Sequence, residues 1–588
     1  MKVLRLSDRP PEAGPAAAPS PAEDASPPRR APALQRLTDA VLDRADPVGF
    51  GRALAIEAGK LLLRPGDTAG ALARWANGAL VAGGVSLVRA LGATPDGPMS
   101  LPARDRRFTD RTWTENAFFF WLLQNHLLRE RLSAELLEAA QLEGFTARKA
   151  RMASQLLVDA LAPTNFFLTN PLALKRAFES GGLSAARGLR KWLDDLRTRA
   201  GWPQLVDRSA FQVGKTMAAT PGKVVHRNRL VEVIQYAPQT ETTFSIPLFL
   251  SPPFINKYYI MDLAPGRSFV EWAVKHGHTV FCLSYRNPDA SLRDVGLDDY
   301  LLEGPLVGLQ VAKEITGSSK VNVAALCVGG TMATMLAAYL EALGDDSIHS
   351  LTLMNTLVDF SEPGPLGAFT DPPTVERLLR RVQRNGVLES QEMARTFNLL
   401  RPNDLYFNYF GSAWMMGDDP PGFDLLAWND DGMRVPARLL SEYLRGCYLK
   451  NALARDEMTV RGQRLRLSAV EQDTFIVGAV EDHITPWRTA FRTAGLLGGK
   501  VEFVLSSSGH IAGVVNPPSA SAAYWMQDRL DESPEAWQSG ATRTASTWWE
   551  EWADWIEARA GDRVSPPRLG SQANPPLAEA PGLYVNER

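Results

Sequence analysis

The sequence predicts an α/β protein: a mostly parallel β-sheet with helices on both faces, interrupted by an inserted cap and preceded by a helical N-terminal domain. One observation is a change of pattern near residue 206. Before it, apolar residues recur every three or four positions, whereas after it short apolar runs of strand length alternate with helical stretches. The other is a length of 588 residues with 45% hydrophobic and 22% charged residues, which is sufficient for more than one folded domain.

The N-terminal third divides into two segments. Residues 1–34 are rich in Pro, Ala and charged residues, so we expect a disordered tail. Residues 35–205 are expected to form the helical N-terminal domain. Within it, Asn170 followed by Pro171 is typical of a helix start, and this helix should end before Gly181 and Gly182.

Residues 206–588 are expected to form the catalytic domain. Its predicted strands are LVEVIQYAP from Leu230, IPLFLS from Ile246, HTVFCLS from His278, VNVAAL from Val321, SLTLMN from Ser350, TFIVGA from Thr474 and KVEFVLS from Lys500. The interval 358–460 contains Pro pairs and aromatic residues without evenly spaced strand runs, which predicts a cap insertion. In such sheets, reactive groups lie at the carboxyl ends of the strands.

Three strand ends contain reactive side chains. VNVAAL leads directly into Cys327 and then into a helical segment, which is the layout of a nucleophile elbow. Asp482 follows TFIVGA, and His510 follows KVEFVLS. Nucleophile, acid and histidine in this chain order are typical of the α/β-hydrolase arrangement, here with Cys in place of Ser.

The other cysteines and a neighbouring histidine have simpler interpretations. Cys282, inside a predicted strand, and Cys447, in a helical stretch, are expected to be buried structural thiols. His483 is a candidate for a secondary role in the active site, although a structural role is the favoured alternative. The wide spacing of the cysteines predicts neither a disulfide framework nor a zinc site.

Charge and hydropathy exclude several classes of protein. With 63 Lys and Arg against 66 Asp and Glu, the formal charge is -3, so no basic excess favours nucleic-acid binding. The N-terminus has no signal-peptide pattern, and no uninterrupted apolar run reaches the roughly 18 residues of a membrane span. We therefore expect a cytoplasmic protein without a membrane span.

Nine segments resemble one known family, the polyhydroxyalkanoate synthases. The segments are FFLTNPLALKRAFESGG, PPFINKYYIMDLAPGRS, LSYRNPDASLRDVGLDDYL, LCVGGTM, RPNDLYFNYF, EDHITPW, SGHIAGVVNPP, WWEEWADW and PGLYV. The chain length and the CVGG segment are similar to class I, the poly-3-hydroxybutyrate synthases. The resemblance assigns the family's catalytic Cys, Asp and His to Cys327, Asp482 and His510. The family's lipase-like box usually begins with Gly, where this chain has Ala325.

The resemblance implies polymerisation of (R)-3-hydroxyacyl-CoA, of short chain length such as 3-hydroxybutyryl-CoA, into polyester with release of CoA. It also implies a homodimer located at polyester granules. His510 could generate the Cys327 thiolate while Asp482 orients the imidazole. Attack on an acyl-CoA would then form a second thioester, which keeps the acyl group activated. Either His510 or, as the resemblance allows, Asp482 could deprotonate the incoming 3-hydroxyl.

The oxyanion hole is expected to be formed by backbone N–H groups. The N–H of Val328, which follows the nucleophile, should supply one half, and the loop near Phe254 and Ile255 should supply the other. This chemistry requires no metal or redox cofactor. Two alternatives are a thioesterase or intracellular polyester depolymerase on the same scaffold, and a non-catalytic protein that coats a polyester inclusion.

Overall fold

The fold is built on an 11-stranded sheet whose centre is parallel and whose edges are antiparallel. A computed structural model of the chain describes residues 46–102, 105–530 and 533–588, so the tail predicted for residues 1–34 lies outside the described residues. The strands are β1 (Gly222–Arg227), β2 (Val231–Tyr236), β3 (Thr243–Phe244), β4 (Leu248–Ser251), β5 (Asp262–Ala264), β6 (Arg267–Ser268), β7 (Val280–Tyr285), β8 (Val321–Leu326), β9 (Ile348–Met354), β10 (Val387–Leu388), β11 (Val435–Pro436), β12 (Thr459–Val460), β13 (Gln463–Arg464), β14 (Asp473–Ala479), β15 (Val501–Ser506), β16 (Tyr524–Met526), β17 (Thr542–Thr544), β18 (Arg563–Val564) and β19 (Ala578–Glu579).

The strand order of the main sheet is β17-β16-β15-β14-β9-β8-β4-β7-β2-β1-β19. The strands from β15 to β7 in this order pair in parallel, and the pairs outside them are antiparallel. Each of the seven predicted strands is present. The strands that the sequence analysis missed, β1, β16, β17 and β19, lie toward the antiparallel edges. There β17 is fully exposed, so it carries no apolar run.

The helices alternate with these strands and also form the N-terminal region. They are α1 (Phe50–Leu62), α2 (Pro65–Ala90), α3 (Thr112–Glu115), α4 (Ala117–Ala140), α5 (Gly144–Ala160), α6 (Pro171–Glu179), α7 (Leu183–Thr198), α8 (Phe269–Lys275), α9 (Leu297–Glu303), α10 (Pro305–Thr316), α11 (Val328–Ala342), α12 (Pro372–Asn385), α13 (Ser390–Leu400), α14 (Asp424–Asn429), α15 (Ala437–Tyr443), α16 (Trp487–Arg492), α17 (Ala512–Val515), α18 (Pro534–Gly540) and α19 (Trp549–Glu557). Short π-helical segments occur at Asn403–Phe407, Phe410–Met415 and Leu444–Leu449.

The core consists of two apolar layers, one on each face of the sheet. Strand β8 shows the division, because Val323 and Ala325 belong to one layer while Ala324 and Leu326 belong to the other. This follows from the two-residue period of a strand. Both faces are covered, so every residue of β8 is buried. The tryptophans of the WWEEWADW segment pack into the second layer.

Helix α6 begins and ends at the residues that the sequence signals indicate. The side chain of Asn170 accepts hydrogen bonds from the backbone N–H groups of Leu172 and Ala173 at 3.0 and 3.2 Å, and α6 begins at Pro171. The helix ends at Glu179, one residue before Ser180 and the left-handed glycines that follow. This start and stop agree with the prediction.

Helix α2 is the element that bears on the expected absence of a membrane span. Among the described residues, it alone is long and apolar enough to do so by length and composition, although no apolar run in it is uninterrupted. Only 22% of the most apolar 18-residue stretch of this helix is buried. A core helix of a soluble protein passes the same test, so this criterion does not by itself indicate a span.

The interval between β9 and β14 forms a cap that is mainly helical. It contains α12 to α15 and the three π-helical segments. Helix α7 packs on the segment Phe410–Met415, where a Cβ on Gly188 would lie 2.2 Å from the carbonyl oxygen of Trp414. The indole N–H of Trp414 donates to the buried carboxylate of Asp195 at 2.7 Å. The N-terminal helices therefore hold the cap directly.

Candidate active site

Cys327 occupies a strained turn between β8 and α11. Its φ of 55° and ψ of −127° lie outside the regions that non-glycine residues normally adopt. Its N–H donates to the carbonyl of Met354 at 2.9 Å, and its carbonyl accepts from Gly330 at 2.9 Å. These contacts hold the turn and place the thiol at the carboxyl end of the sheet, as the nucleophile elbow predicts.

Two glycines after Cys327 allow the elbow to pack closely. A Cβ on Gly329 would lie 2.2 Å from the carbonyl oxygen of Ser251, and one on Gly330 would lie 2.0 Å from the hydroxyl oxygen of Thr356. Ala325, which stands where the family usually has Gly, is fully buried within β8 and belongs to the apolar layer on one face of the sheet. Its methyl group is therefore part of the core.

Asp482 and His510 meet in the loops after β14 and β15. The imidazole Nδ1 of His510 lies 2.6 Å from Oδ2 of Asp482, and both side chains are buried. The carboxylate of Asp482 also accepts hydrogen bonds from the N–H of Ile484 at 2.8 Å and from the N–H and hydroxyl of Thr485 at 2.8 and 2.6 Å. The carboxylate is thus fully bonded and fixed beside the imidazole.

The electrostatics of this pair favour its charged form. Burial alone would raise the pKa of Asp482, but the His510 charge and the bonds from His510 and Thr485 lower it below its usual value. Burial alone would lower the pKa of His510, but Asp482 and the Cys327 sulfur raise it to about 10. The effect of the sulfur on this pKa places the Cys327 thiol beside the His510 imidazole. The structure therefore brings together the three residues that the sequence analysis selected, as a chain of thiol, imidazole and carboxylate.

Two residues that form hydrogen bonds with Asp482 or His510 were not anticipated from the sequence. Thr485 donates to Asp482, and its hydroxyl oxygen lies 3.2 Å from Nδ1 of His510. Its position three residues after Asp482 is typical of a local carboxylate-to-backbone turn, which is a signal that the sequence contained. Asn355, which follows β9, donates from its side chain to the carbonyl of His510, which follows β15 on the far side of β14, and no sequence signal indicated this contact.

The thiol opens into an apolar cavity of about 470 Å³ between the sheet and the cap. Cys327, Val328, Phe254 and Ile255 lie in its wall, with Thr485 on the same side as Asp482. The cap contributes mainly large apolar side chains, including Leu366, Phe369, Val375, Leu378, Leu388, Met393, Leu439, Tyr443 and Tyr448. Arg381, Glu392 and Arg395 are the charged residues of the wall, and its predominantly apolar composition fits an apolar acyl group.

The residues selected for the oxyanion hole line this cavity. Val328 is the first residue of α11, where a backbone N–H has no intrahelical partner. Phe254 and Ile255 follow β4, whose last residue contacts Gly329. The geometry thus brings the two candidate segments to either side of Cys327.

The remaining sequence candidates lie outside the cavity. His483 is half-buried and is absent from the lining, and burial, with Arg401 nearby, lowers its pKa to about 4, so the imidazole is neutral at physiological pH. Cys282 and Cys447 are fully buried, and burial raises the pKa of each thiol. Within the described ranges, no group of His, Cys, Asp and Glu could hold a metal ion. That no cofactor is required stays a prediction.

Comparison with known proteins identifies the family. Residues 104–273 match the poly-beta-hydroxybutyrate polymerase N-terminus, and residues 265–517 match the alpha/beta hydrolase fold. A poly(3-hydroxyalkanoate) polymerase of Methylorubrum extorquens is 40% identical over 505 residues, which cover 85% of this chain and 84% of the relative. The chain belongs to the poly(3-hydroxyalkanoate) polymerase family. It is therefore an acyltransferase with an α/β-hydrolase core, as the sequence analysis predicted.

Other relatives match this polymerase over a similar extent. A poly(3-hydroxyalkanoate) polymerase subunit of Cupriavidus necator is 40% identical over 83% of this chain and 84% of its own length. Poly(3-hydroxyalkanoate) polymerase 2 of Ectopseudomonas oleovorans is 40% identical over 84% of this chain and 88% of its own length. The similarity therefore includes both the helical region and the catalytic sheet of the polymerase.

Proposed function

We propose that this polymerase elongates a polyester from (R)-3-hydroxyacyl-CoA through an acyl thioester on Cys327. The observation that carries the proposal is the alignment of three side chains: Asp482 and His510 are buried and hydrogen-bonded to each other, and His510 lies beside the Cys327 thiol, which faces an apolar cavity. A thiolate is a strong nucleophile, and the adjacent imidazole is the base that generates it. The family supports a hydroxyacyl substrate.

In the first half-reaction, the sulfur of Cys327 attacks the thioester carbonyl of the substrate. A new carbon–sulfur bond forms, the bond to CoA breaks, and the proton from the Cys327 thiol passes through His510 to the departing CoA sulfur. Because one thioester replaces another, the acyl group remains activated. Asp482 orients the imidazole and stabilises its charged form.

In the second half-reaction, a hydroxyl group attacks the Cys327 thioester. The new carbon–oxygen bond extends the polyester, and the hydroxyl proton returns to the Cys327 sulfur through the base. His510 lies nearest the sulfur, whereas Asp482 is saturated by donors from Ile484, Thr485 and His510. This arrangement favours His510 as the base and leaves Asp482 to act through it.

The backbone N–H of Val328 and the loop at Phe254 and Ile255 are proposed to bind the negative oxygen of each tetrahedral intermediate. A helix N-terminus favours negative charge, and Val328 begins α11. Donors fixed in an apolar cavity stabilise that charge more strongly than water does. For His483, we propose no direct role, since burial and the nearby Arg401 lower the pKa of its imidazole and its buried Nδ1 has no hydrogen-bond partner among the described residues.

Short acyl chains are the proposed substrates, such as the 3-hydroxybutyryl group. The resemblance to class I supports this, as does the crowding of Tyr443 and Tyr448 close to Cys327 in the cavity wall. Rates with 3-hydroxyacyl-CoA substrates of increasing chain length measure the preference directly. A maximum at long chains would contradict the short-chain proposal and leave the thioester mechanism intact.

The decisive experiment measures CoA release and the product together, in the full chain and in Cys327→Ala. We expect polymer from the full chain and no acylation in the variant. Cys282→Ala and Cys447→Ala are matched controls, because both thiols are fully buried. They should remain active with a packing loss of about 1–3 kcal/mol. Free hydroxy acid without polymer would instead indicate a thioesterase or depolymerase, and polymer from Cys327→Ala would refute the nucleophile.

Association with the polyester granule is proposed for the helical N-terminal region. Most of the exposed large hydrophobic side chains of the described chain lie in this region, and some of those on α1, α2 and the turns that follow them are Leu62, Leu63, Leu80, Leu87 and Leu91. A contiguous exposed apolar surface favours contact with an apolar phase. The homodimer implied by the family is a further proposal, which analytical ultracentrifugation of the full chain tests.

A further inference from the structure

A buried lysine lies two residues beyond the cavity wall. Lys257 follows Ile255 in the loop after β4, and it is 1% exposed. Its ammonium group donates to the carbonyl oxygens of Tyr584 and Glu587 at 3.2 and 2.7 Å, so it binds the last residues of the chain. We propose that Lys257 is a positioning residue that ties the oxyanion loop, residues 252–257, to the C-terminal segment, residues 582–588.

The C-terminal segment is itself firmly attached to the sheet. Glu232 on β2 is fully buried, and its carboxylate accepts hydrogen bonds from the N–H groups of Leu583 and Tyr584, both at 3.0 Å. The hydroxyl of Tyr584 donates to the carbonyl of Asn228 at 2.6 Å. Val585 is buried in the second apolar layer. The segment can therefore act as a rigid support for whatever it binds.

Lys257 transmits this support to the cavity wall. Its backbone is fixed by two hydrogen bonds. The N–H of Lys257 donates to the side chain of Asn256 at 2.9 Å, and the carbonyl of Lys257 accepts from the indole of Trp428 at 2.8 Å. Asn256 also pairs with Gly432 in an isolated β-bridge. At the other end of the loop, the Ser251 carbonyl contacts Gly329 of the elbow. The loop is thus held at both ends, with Phe254 and Ile255 between them.

The charge of Lys257 is suited to this role. Burial lowers the pKa of its ammonium group, while Asp431 and Glu587 oppose that shift and Arg434 adds to it. An apolar side chain of similar length could donate to neither the Tyr584 nor the Glu587 carbonyl, so both bonds from the loop to the C-terminal segment would be lost. The loop would then separate from the C-terminal segment, and its N–H groups would move relative to the Cys327 carbonyl adduct.

The inference rests on the proposed function, and its test separates the two. In Lys257→Met, two reactions of Cys327 are compared: acylation by 3-hydroxybutyryl-CoA in a single turnover, and alkylation by iodoacetamide. Alkylation displaces iodide from carbon and forms no oxyanion, so it reports the nucleophile alone. We expect the rate of acylation, normalised to the fraction of Cys327 that iodoacetamide can alkylate, to fall by about tenfold or more, as for a lost oxyanion donor. The rate of alkylation should be unchanged.

Two further variants serve as controls. Tyr584→Phe removes one attachment of the same segment but keeps its bonds to Lys257 and Glu232, so it should slow acylation much less than Lys257→Met does. Lys257→Arg keeps cationic donors and should recover part of the lost rate. If Lys257→Met is insoluble, the same two rates are measured in a variant that lacks residues 587–588. This deletion removes the Glu587 carbonyl, one of the two acceptors of the Lys257 ammonium group, and leaves Val585 in place.

Parallel loss of alkylation and acylation would overturn the positioning role, as would unchanged acylation in Lys257→Met. Failure of the proposed function has a different signature. In that case, alkylation of Cys327 in the unmodified chain would leave polymerisation intact.

Discussion

The side-chain amide of Asn355 donates a hydrogen bond to the main-chain carbonyl of His510. Asn355 directly follows β9, and its N–H donates to Val477 on β14 at 2.8 Å. It is fully buried and adopts a φ of 43°, a left-handed conformation that Asn tolerates better than most residues. One residue thus joins the strand beside the elbow to the loop that contains His510.

Asn355→Ala and Asn355→Gly should both slow acylation, because each removes the amide that holds His510. They should differ in stability. Both lose a buried hydrogen bond, at about 1–3 kcal/mol, but only Ala adds the strain of a positive φ, about 1–2 kcal/mol. Single-turnover acylation and chemical unfolding measure the two effects. Normal acylation by the Gly variant would show that the Asn355 amide is not needed to place His510.

The roles of His510 and Asp482 can be separated by the step that each variant loses. His510→Gln should form no labelled acyl-enzyme after a single exposure to substrate, because no base remains beside the sulfur. Asp482→Asn keeps His510 but makes it a weaker base, because Asp482 no longer raises its pKa. A thiol loses its proton more easily than a hydroxyl, so this variant should still load an acyl group, slowly, and then stall in elongation with the covalent species accumulated. Mass spectrometry of the intact chain measures the loading.

Equal loss of loading in both variants would show that Asp482 is as necessary for attack by the thiol as for attack by the hydroxyl. Orientation of the imidazole would then be indispensable for attack itself. The bonds from Thr485 and Ile484 to the same carboxylate would hold this orientation.

The stability of the protein should depend on pH through His510. In the folded chain, burial lowers the pKa of His510, but Asp482 and Cys327 raise it overall from 6.5 to about 10. A raised pKa contributes stability that is complete below pH 6.5 and is lost as the pH rises through about 10. The difference in unfolding free energy between the unmodified chain and Asp482→Asn should therefore shrink from pH 6 toward pH 10. A difference that grows with pH would contradict the charged pair.

Much of the fold could be predicted because its central strands are continuous apolar runs. VNVAAL, now β8, is buried on both faces, and such a run has few other structures available. The edge strand β17 could not be predicted, since its three exposed residues carry no pattern and depend on β16 for pairing. The apolar character of helix α2 was not apparent in the sequence because it is spread over 26 residues interrupted by Gly, Thr and Arg.

The site was predictable only where chemistry is local to a strand end. Cys327, Asp482 and His510 each follow an apolar run, and their order along the chain is itself informative. Asn355 and Lys257 were missed because their partners, His510 and the C-terminal residues, are 155 and 330 positions away in the chain. Nothing in the local sequence indicates contacts of that kind.

The last prediction concerns the exposed apolar side chains of the N-terminal helices. Leu80, Leu87 and Leu91 are 77, 66 and 83% exposed, so replacing them with Gln should not unfold the chain. If this surface contacts polyester, the triple variant should partition less onto isolated granules, while single-turnover acylation in solution stays unchanged. Leu343→Gln and Leu577→Gln in the catalytic part are matched controls, because they are 51 and 49% exposed. Because Leu343 and Leu577 lie outside the N-terminal helices, the controls should bind normally. Unchanged partitioning of the triple variant would place the contact elsewhere, and equal loss in the variant and the controls would show that the effect is not specific to this surface.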